Sequence, residues 1–72
     1  MNVEEARIGL ASRQEALADL RSRIAEERAR IAGALGADRT VATRMLDLQE
    51  ALASAESSWL AAFRKEIARL RR

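Results

Sequence analysis

The sequence contains no Cys, His, Pro or Tyr, and one Trp and one Phe are its whole aromatic content. Each absence closes a class of chemistry. Without Cys or His there is no disulfide, no thiolate or imidazole ligand for a structural zinc ion, and no Ser–His or Cys–His nucleophile pair. Without Pro, nothing forces a break inside a helix. Long apolar runs are missing too. Trp59-Leu60-Ala61-Ala62-Phe63 is a typical stretch, far below the roughly 20 residues that cross a bilayer. Asn2-Val3-Glu4-Glu5 puts acids where a signal peptide carries bases, so the expected location is cytoplasmic.

What is present is a short chain of 72 residues, 49% of them apolar, with a net charge of +2. At this length it holds one domain at most. Of the 35 apolar residues 16 are Ala, leaving 19 large ones. Ordering the chain costs on the order of 100 kcal/mol at about 1.5 kcal/mol per residue, and chains this small seldom exceed that without a staple. Disulfides and Cys or His metal sites being excluded, oligomerisation or a partner is the route left.

One break interrupts otherwise strong helix-forming sequence. Gly33-Ala34-Leu35-Gly36-Ala37-Asp38-Arg39-Thr40 holds two of the three glycines and two helix-capping residues. The expected plan is a first helix over about 3-35, a turn at about 36-39 and a second helix over about 40-71. Asn2 is expected to cap the first helix, its side chain accepting from the Glu5 amide while the Glu5 carboxylate reaches back. Gly36 is expected to end that helix in the left-handed conformation, and Asp38 or Thr40 to cap the second. With so short a turn the helices must run antiparallel.

Val3, Leu10, Leu17, Ile24 and Ile31 recur every seven residues in the first helix. With these as heptad position a, position d reads Ala6, Arg13, Leu20, Glu27 and Ala34, a seam strong at a and weak at d. Arg13 and Glu27 either form ion pairs that fix register or face solvent beside a seam leaning toward Ala11, Ala18, Ala25 and Ala32; the second reading is preferred. Gly9 marks either a close helix approach or, the preferred reading, slack near a frayed end, at a cost of up to about 1 kcal/mol. Asp19–Arg23 and Glu26–Arg30 are acid-first pairs spaced i,i+4.

The second helix carries Val41, Met45, Leu48, Leu52, Ala55, Trp59, Phe63, Ile67 and Leu70, with Leu46, Ala53, Leu60 and Ile67 as a row alongside. Its apolar arc is wider than one partner helix covers. The expected fold class is therefore all-α: an antiparallel, coiled-coil-like two-helix hairpin that completes a four-helix bundle on dimerisation. The expected core and interface are Leu10, Leu17, Leu20, Ile24, Ile31, Met45, Leu48, Leu52, Trp59, Phe63, Ile67 and Leu70.

Basic residues Arg64, Lys65, Arg69, Arg71 and Arg72 crowd the C-terminal end against Glu66. A helix dipole favours cations there; contact with nucleic-acid phosphates or an anionic membrane surface is the functional alternative. Glu15 with Asp19 and Glu26 with Glu27 are carboxylates on helical positions with no pocket to shift their pKa values. Gly33 and Gly36 lack the strand, Lys and Ser/Thr of a phosphate loop. The expected function is a non-enzymatic interaction module, without cofactor or metal, that self-associates through its apolar face. In length and helix count the chain is similar to plasmid copy-control hairpins that dimerise into four-helix bundles, and to the two-helix co-chaperones of type III secretion. The second resemblance implies the alternative of a small chaperone or adaptor subunit bound to a different protein; the basic end gives the further alternative of a hairpin that binds nucleic acid. The tip has Asp38 as its only acid, unlike the acidic coiled-coil fingers that enter RNA polymerase.

Overall fold

In the computed structural model, which describes residues 1–70, the chain forms two helices, α1 (Val3–Ile31) and α2 (Gly36–Leu70), folded back on each other as a hairpin. α1 begins where its cap places it. Asn2 is extended, and its side-chain oxygen accepts from the Glu5 amide at 2.8 Å, satisfying one of the amides that a helix start leaves open. The Glu5 carboxylate also reaches back, but it accepts from the Asn2 side-chain amide at 3.1 Å rather than from its backbone.

The break lies four residues earlier than expected. α1 stops at Ile31, residues 32–35 connect the helices, and α2 starts at Gly36 instead of about residue 40. The last turn of α1 tightens, with the Ala32 amide donating to Ala29 at 3.4 Å and the Ala34 amide to Ile31 at 2.9 Å, a geometry that does not propagate an α-helix. Gly36 does take the left-handed conformation, at φ +65°, where a Cβ would strain the backbone. It opens α2 rather than closing α1. Asp38 and Thr40 therefore lie inside the helix they were expected to cap. The Thr40 hydroxyl donates back to the Gly36 carbonyl at 3.3 Å, and Asp38 sits in the first turn, where the dipole favours an acid.

The hairpin is a rod of 55 × 16 × 15 Å, the long dimension being that of 35 helical residues at about 1.5 Å each. Leu10, Leu17 and Ile24 of α1 and Leu46, Ala53, Leu60 and Ile67 of α2 are buried between the helices. Every one lies on a seven-residue row. Leu10, Leu17, Ala53, Leu60 and Ile67 form a continuous cluster, flanked by half-buried Ala6, Leu20 and Phe63. Ile24 and Leu46 carry the seam toward the turn. Removing each large aliphatic from water contributes about 1.5–3 kcal/mol.

Polar pairs lock α2 in this rotation. Arg28 reaches across to Asp47, at 2.9 Å, and to Glu50. Arg21 donates to the Ser54 hydroxyl at 3.4 Å, and Arg13 pairs with Glu56 on the opposite side of the seam. Arg13 thus joins the two readings offered by the sequence: it makes an interhelical ion pair while its side chain stays 64% exposed to solvent. Glu27 is half-buried and pairs within its own helix with Arg30, which displaces the expected Glu26–Arg30 pair. Asp19 and Arg23 form no ion pair among the described residues. A Cβ at Gly9 would meet nothing within 4 Å, so no close approach inside the hairpin requires that glycine.

Candidate functional site

Consecutive residues on an α-helix point about 100° apart. In α2 this rule separates two apolar rows. Met45 is 54% exposed and Leu46 5%; Leu52 is 62% exposed and Ala53 2%; Trp59 is 62% exposed and Leu60 3%. The inner member of each couple belongs to the seam. The outer members, with Val41 before them and Leu48 between the first two, form a stripe of more than half-exposed apolar side chains along the rod.

The expected core set thus divides. Leu10, Leu17, Ile24 and Ile67 are buried in the seam, and Leu20, Ile31 and Phe63 are half-buried at its edge. Met45, Leu48, Leu52, Trp59 and Leu70 are not part of the hairpin core; they are exposed. Leu46, Ala53 and Leu60 bury in their place. These three had been visible as the accompanying row, and the small Ala53 is the signal for close approach, since it lets a facing Leu reach the α2 backbone.

The stripe is bordered by two open grooves on one face of the rod. Near the turn, Leu20, Ile24, Glu27, Met45, Leu46 and Gln49 line a space of about 440 Å³. Near the chain ends, Met1, Gly9, Leu10, Arg13, Trp59 and Phe63 line one of about 240 Å³. The Trp59 and Phe63 rings are 5.0 Å apart, tilted by 35°, an aromatic contact that holds the indole against the helix while leaving most of it in solvent. The opposite face is polar: Gln14, Arg21, Ser57 and Arg64 lie together above Leu17 and Leu60.

No known protein family, curated protein or solved structure matches this chain.

Among the described residues, the basic side chains of the C-terminal end do not gather into one patch. Arg64 lies beside the seam with Arg7 and Gln14, whereas Lys65 and Arg69 are exposed at other angles around α2. Arg71 and Arg72 lie outside the described residues. Several arginines of α1 are neutralised locally. Hydrogen bonds from Arg28 to Asp47 and then Glu50 raise its pKa above the ordinary value, and the Glu4 contact does the same for Arg7. The Arg30 guanidinium hydrogen-bonds Glu27, through Nε at 3.1 Å among other contacts, and holds that carboxyl below the usual range. Glu15, Asp19 and Glu26 are exposed on α1. Among the described residues no three His, Cys, Asp or Glu side chains gather as a metal site, and no helix is long and apolar enough to cross a membrane.

Proposed function

We propose that the hairpin is a non-catalytic association module, and that the Val41–Met45–Leu48–Leu52–Trp59 stripe packs against a second copy to complete a four-helix bundle. The exposure of that stripe carries the reading. Monomeric proteins leave single large apolar residues in water as a matter of course, but a contiguous apolar row marks an interaction surface.

Area supports a second copy as the occupant. The rod exposes 5737 Å² for 8.0 kDa, whereas a compact monomer of that mass exposes about 4,450 Å². The excess of about 1,300 Å² exceeds the roughly 800 Å² that each partner buries in a standard interface. The stripe also has the spacing 4-3-4 from Val41 to Leu52, continued to Trp59 through Ala55, which is the a/d pattern that one helix uses to pack against another. Met45, Leu52 and Trp59 lie about 100° round α2 from the seam and Val41 and Leu48 about 140–160°, so the stripe faces away from α1, where a further helix can pack against it.

Light scattering on size-exclusion eluate at micromolar concentration tests this. The expected mass is twice 8.0 kDa; a well-folded monomer would overturn the proposal and point to an adaptor whose partner is another protein. Binding of duplex DNA or RNA at low salt that weakens steeply as salt rises would instead favour the nucleic-acid reading.

A further inference from the structure

Resting on that self-association, we infer that the two copies of α2 run antiparallel across the stripe, related by a two-fold axis near the level of Ala53 and Ser54. Two observations choose this orientation. The first is shape. From Met45 the stripe reads large, large, large, then Ala55, Trp59 and Ala62. A parallel pair sets Trp59 on Trp59 and Ala55 on Ala55, so one layer is overfilled beside an empty one. An antiparallel pair of a and d layers sets Met45 opposite Ala62 of the second copy, Leu52 opposite Ala55, and Leu48 opposite Trp59. Large then meets small in two layers of three, as close packing requires.

The second is charge. Residues 36–50 carry three acids and two bases, and residues 56–70 carry two acids and three bases. Parallel packing joins like ends; antiparallel packing joins opposite ones. Glu66 occupies an a position of the stripe. In a parallel pair its carboxylate would meet its own copy across the seam, a repulsive juxtaposition. In the antiparallel pair it lies opposite Val41 and within one helical turn of Arg44 of the second copy. Opposed helix dipoles favour the same choice.

The chain has no native Cys, so disulfide trapping reads the orientation directly. Met45→Cys and Ala62→Cys are made separately, then oxidised alone and as an equal mixture. The antiparallel pair gives the mixed disulfide as the dominant covalent species and little self-disulfide, because each Cys is about 25 Å from its own copy and a disulfide needs Cα atoms within about 7 Å. Self-disulfides in place of the mixed species overturn the orientation and leave the dimer standing. No disulfide in a protein that scatters as a dimer also overturns it, whereas a monomer by scattering removes the underlying self-association. A spin label on Lys65→Cys, an exposed position outside the stripe, supplies a readout that leaves the stripe intact: an axial separation of about 35 Å is expected, and side-by-side labels would refute the proposal.

Discussion

Trp59 and Leu60 are adjacent in the chain, yet Leu60 is 3% exposed and Trp59 62%. The larger residue faces water because the hairpin seam passes through the smaller one. These two positions therefore report on different events. Leu60→Ala opens a cavity in the seam and is expected to cost about 2–5 kcal/mol, seen as a lower denaturation midpoint at every protein concentration. Trp59→Ala leaves the seam filled and is expected to lower the association constant instead. For wild type, each tenfold rise in concentration adds about 1.4 kcal/mol to the stability of a dimer; in Trp59→Ala the melting temperature is expected to lose most of that dependence. Equal losses at all concentrations in both variants would contradict the assignment.

The three glycines are expected to respond with different signs. Gly36 sits at φ +65°, so Gly36→Ala forces a Cβ into the left-handed region at a cost of about 1–2 kcal/mol. At Gly33, whose φ is not positive and where a Cβ meets nothing within 4 Å, alanine is expected to stabilise by about 0.4–1 kcal/mol through the unfolded chain. Gly9→Ala is expected to raise helicity for the same reason, by up to about 1 kcal/mol. Thermal denaturation at one fixed concentration, followed by circular dichroism, measures all three.

Arg13 and Glu56 form the ion pair that spans the seam on the stripe side. Both side chains are partly in solvent, so a double-mutant cycle of Arg13→Ala and Glu56→Ala is expected to give a coupling of about 0.2–1 kcal/mol. The coupling should largely vanish in 1 M salt, where the screening length falls to about 3 Å. A coupling unaffected by salt would mean that the pair acts through packing of the arginine stem.

Glu27 gives the hairpin an acid-side pH dependence. Its carboxyl is held below the ordinary value chiefly by the hydrogen bond from Arg30, so the folded chain binds fewer protons there than the unfolded chain. That contribution is present above the ordinary glutamate pKa of about 4.3 and is lost as pH falls through the lower, folded value. Glu27→Gln removes it. The stability difference between wild type and Glu27→Gln is expected to be constant near neutrality and to shrink on acidification, by denaturant titration at a series of pH values. A difference that grows toward acid would reverse the assignment.

Much of the hairpin follows from local chemistry that the sequence displays. Strong helix formers on both sides of one glycine-containing break dictate two helices, and Asn2 with Glu5 dictates where the first begins. The unbroken row Leu10, Leu17, Ile24 dictates which face of α1 is buried, because no competing row of large residues exists on that helix. The position of the break was less legible. Gly33 and Gly36 can each end a helix, and the left-handed residue proved to open α2 instead, with Thr40 bonded back to it.

The face of α2 was left undetermined by its own sequence. The Met45 and Leu46 rows lie side by side, both periodic and both apolar, and the hydrophobic effect is non-directional, so composition and spacing do not rank them. Tertiary structure chose the Leu46 row through contacts between residues far apart in the chain. Ala53 lets α1 approach, and with that row inward Asp47 and Glu50 reach Arg28, Ser54 reaches Arg21 and Glu56 reaches Arg13. Turning α2 by about 100° would bury the larger Met45 row but carry those polar groups away from their partners. The sequence by itself determined that α2 is apolar on two sides; the tertiary structure decided which side closes the hairpin and which is left exposed.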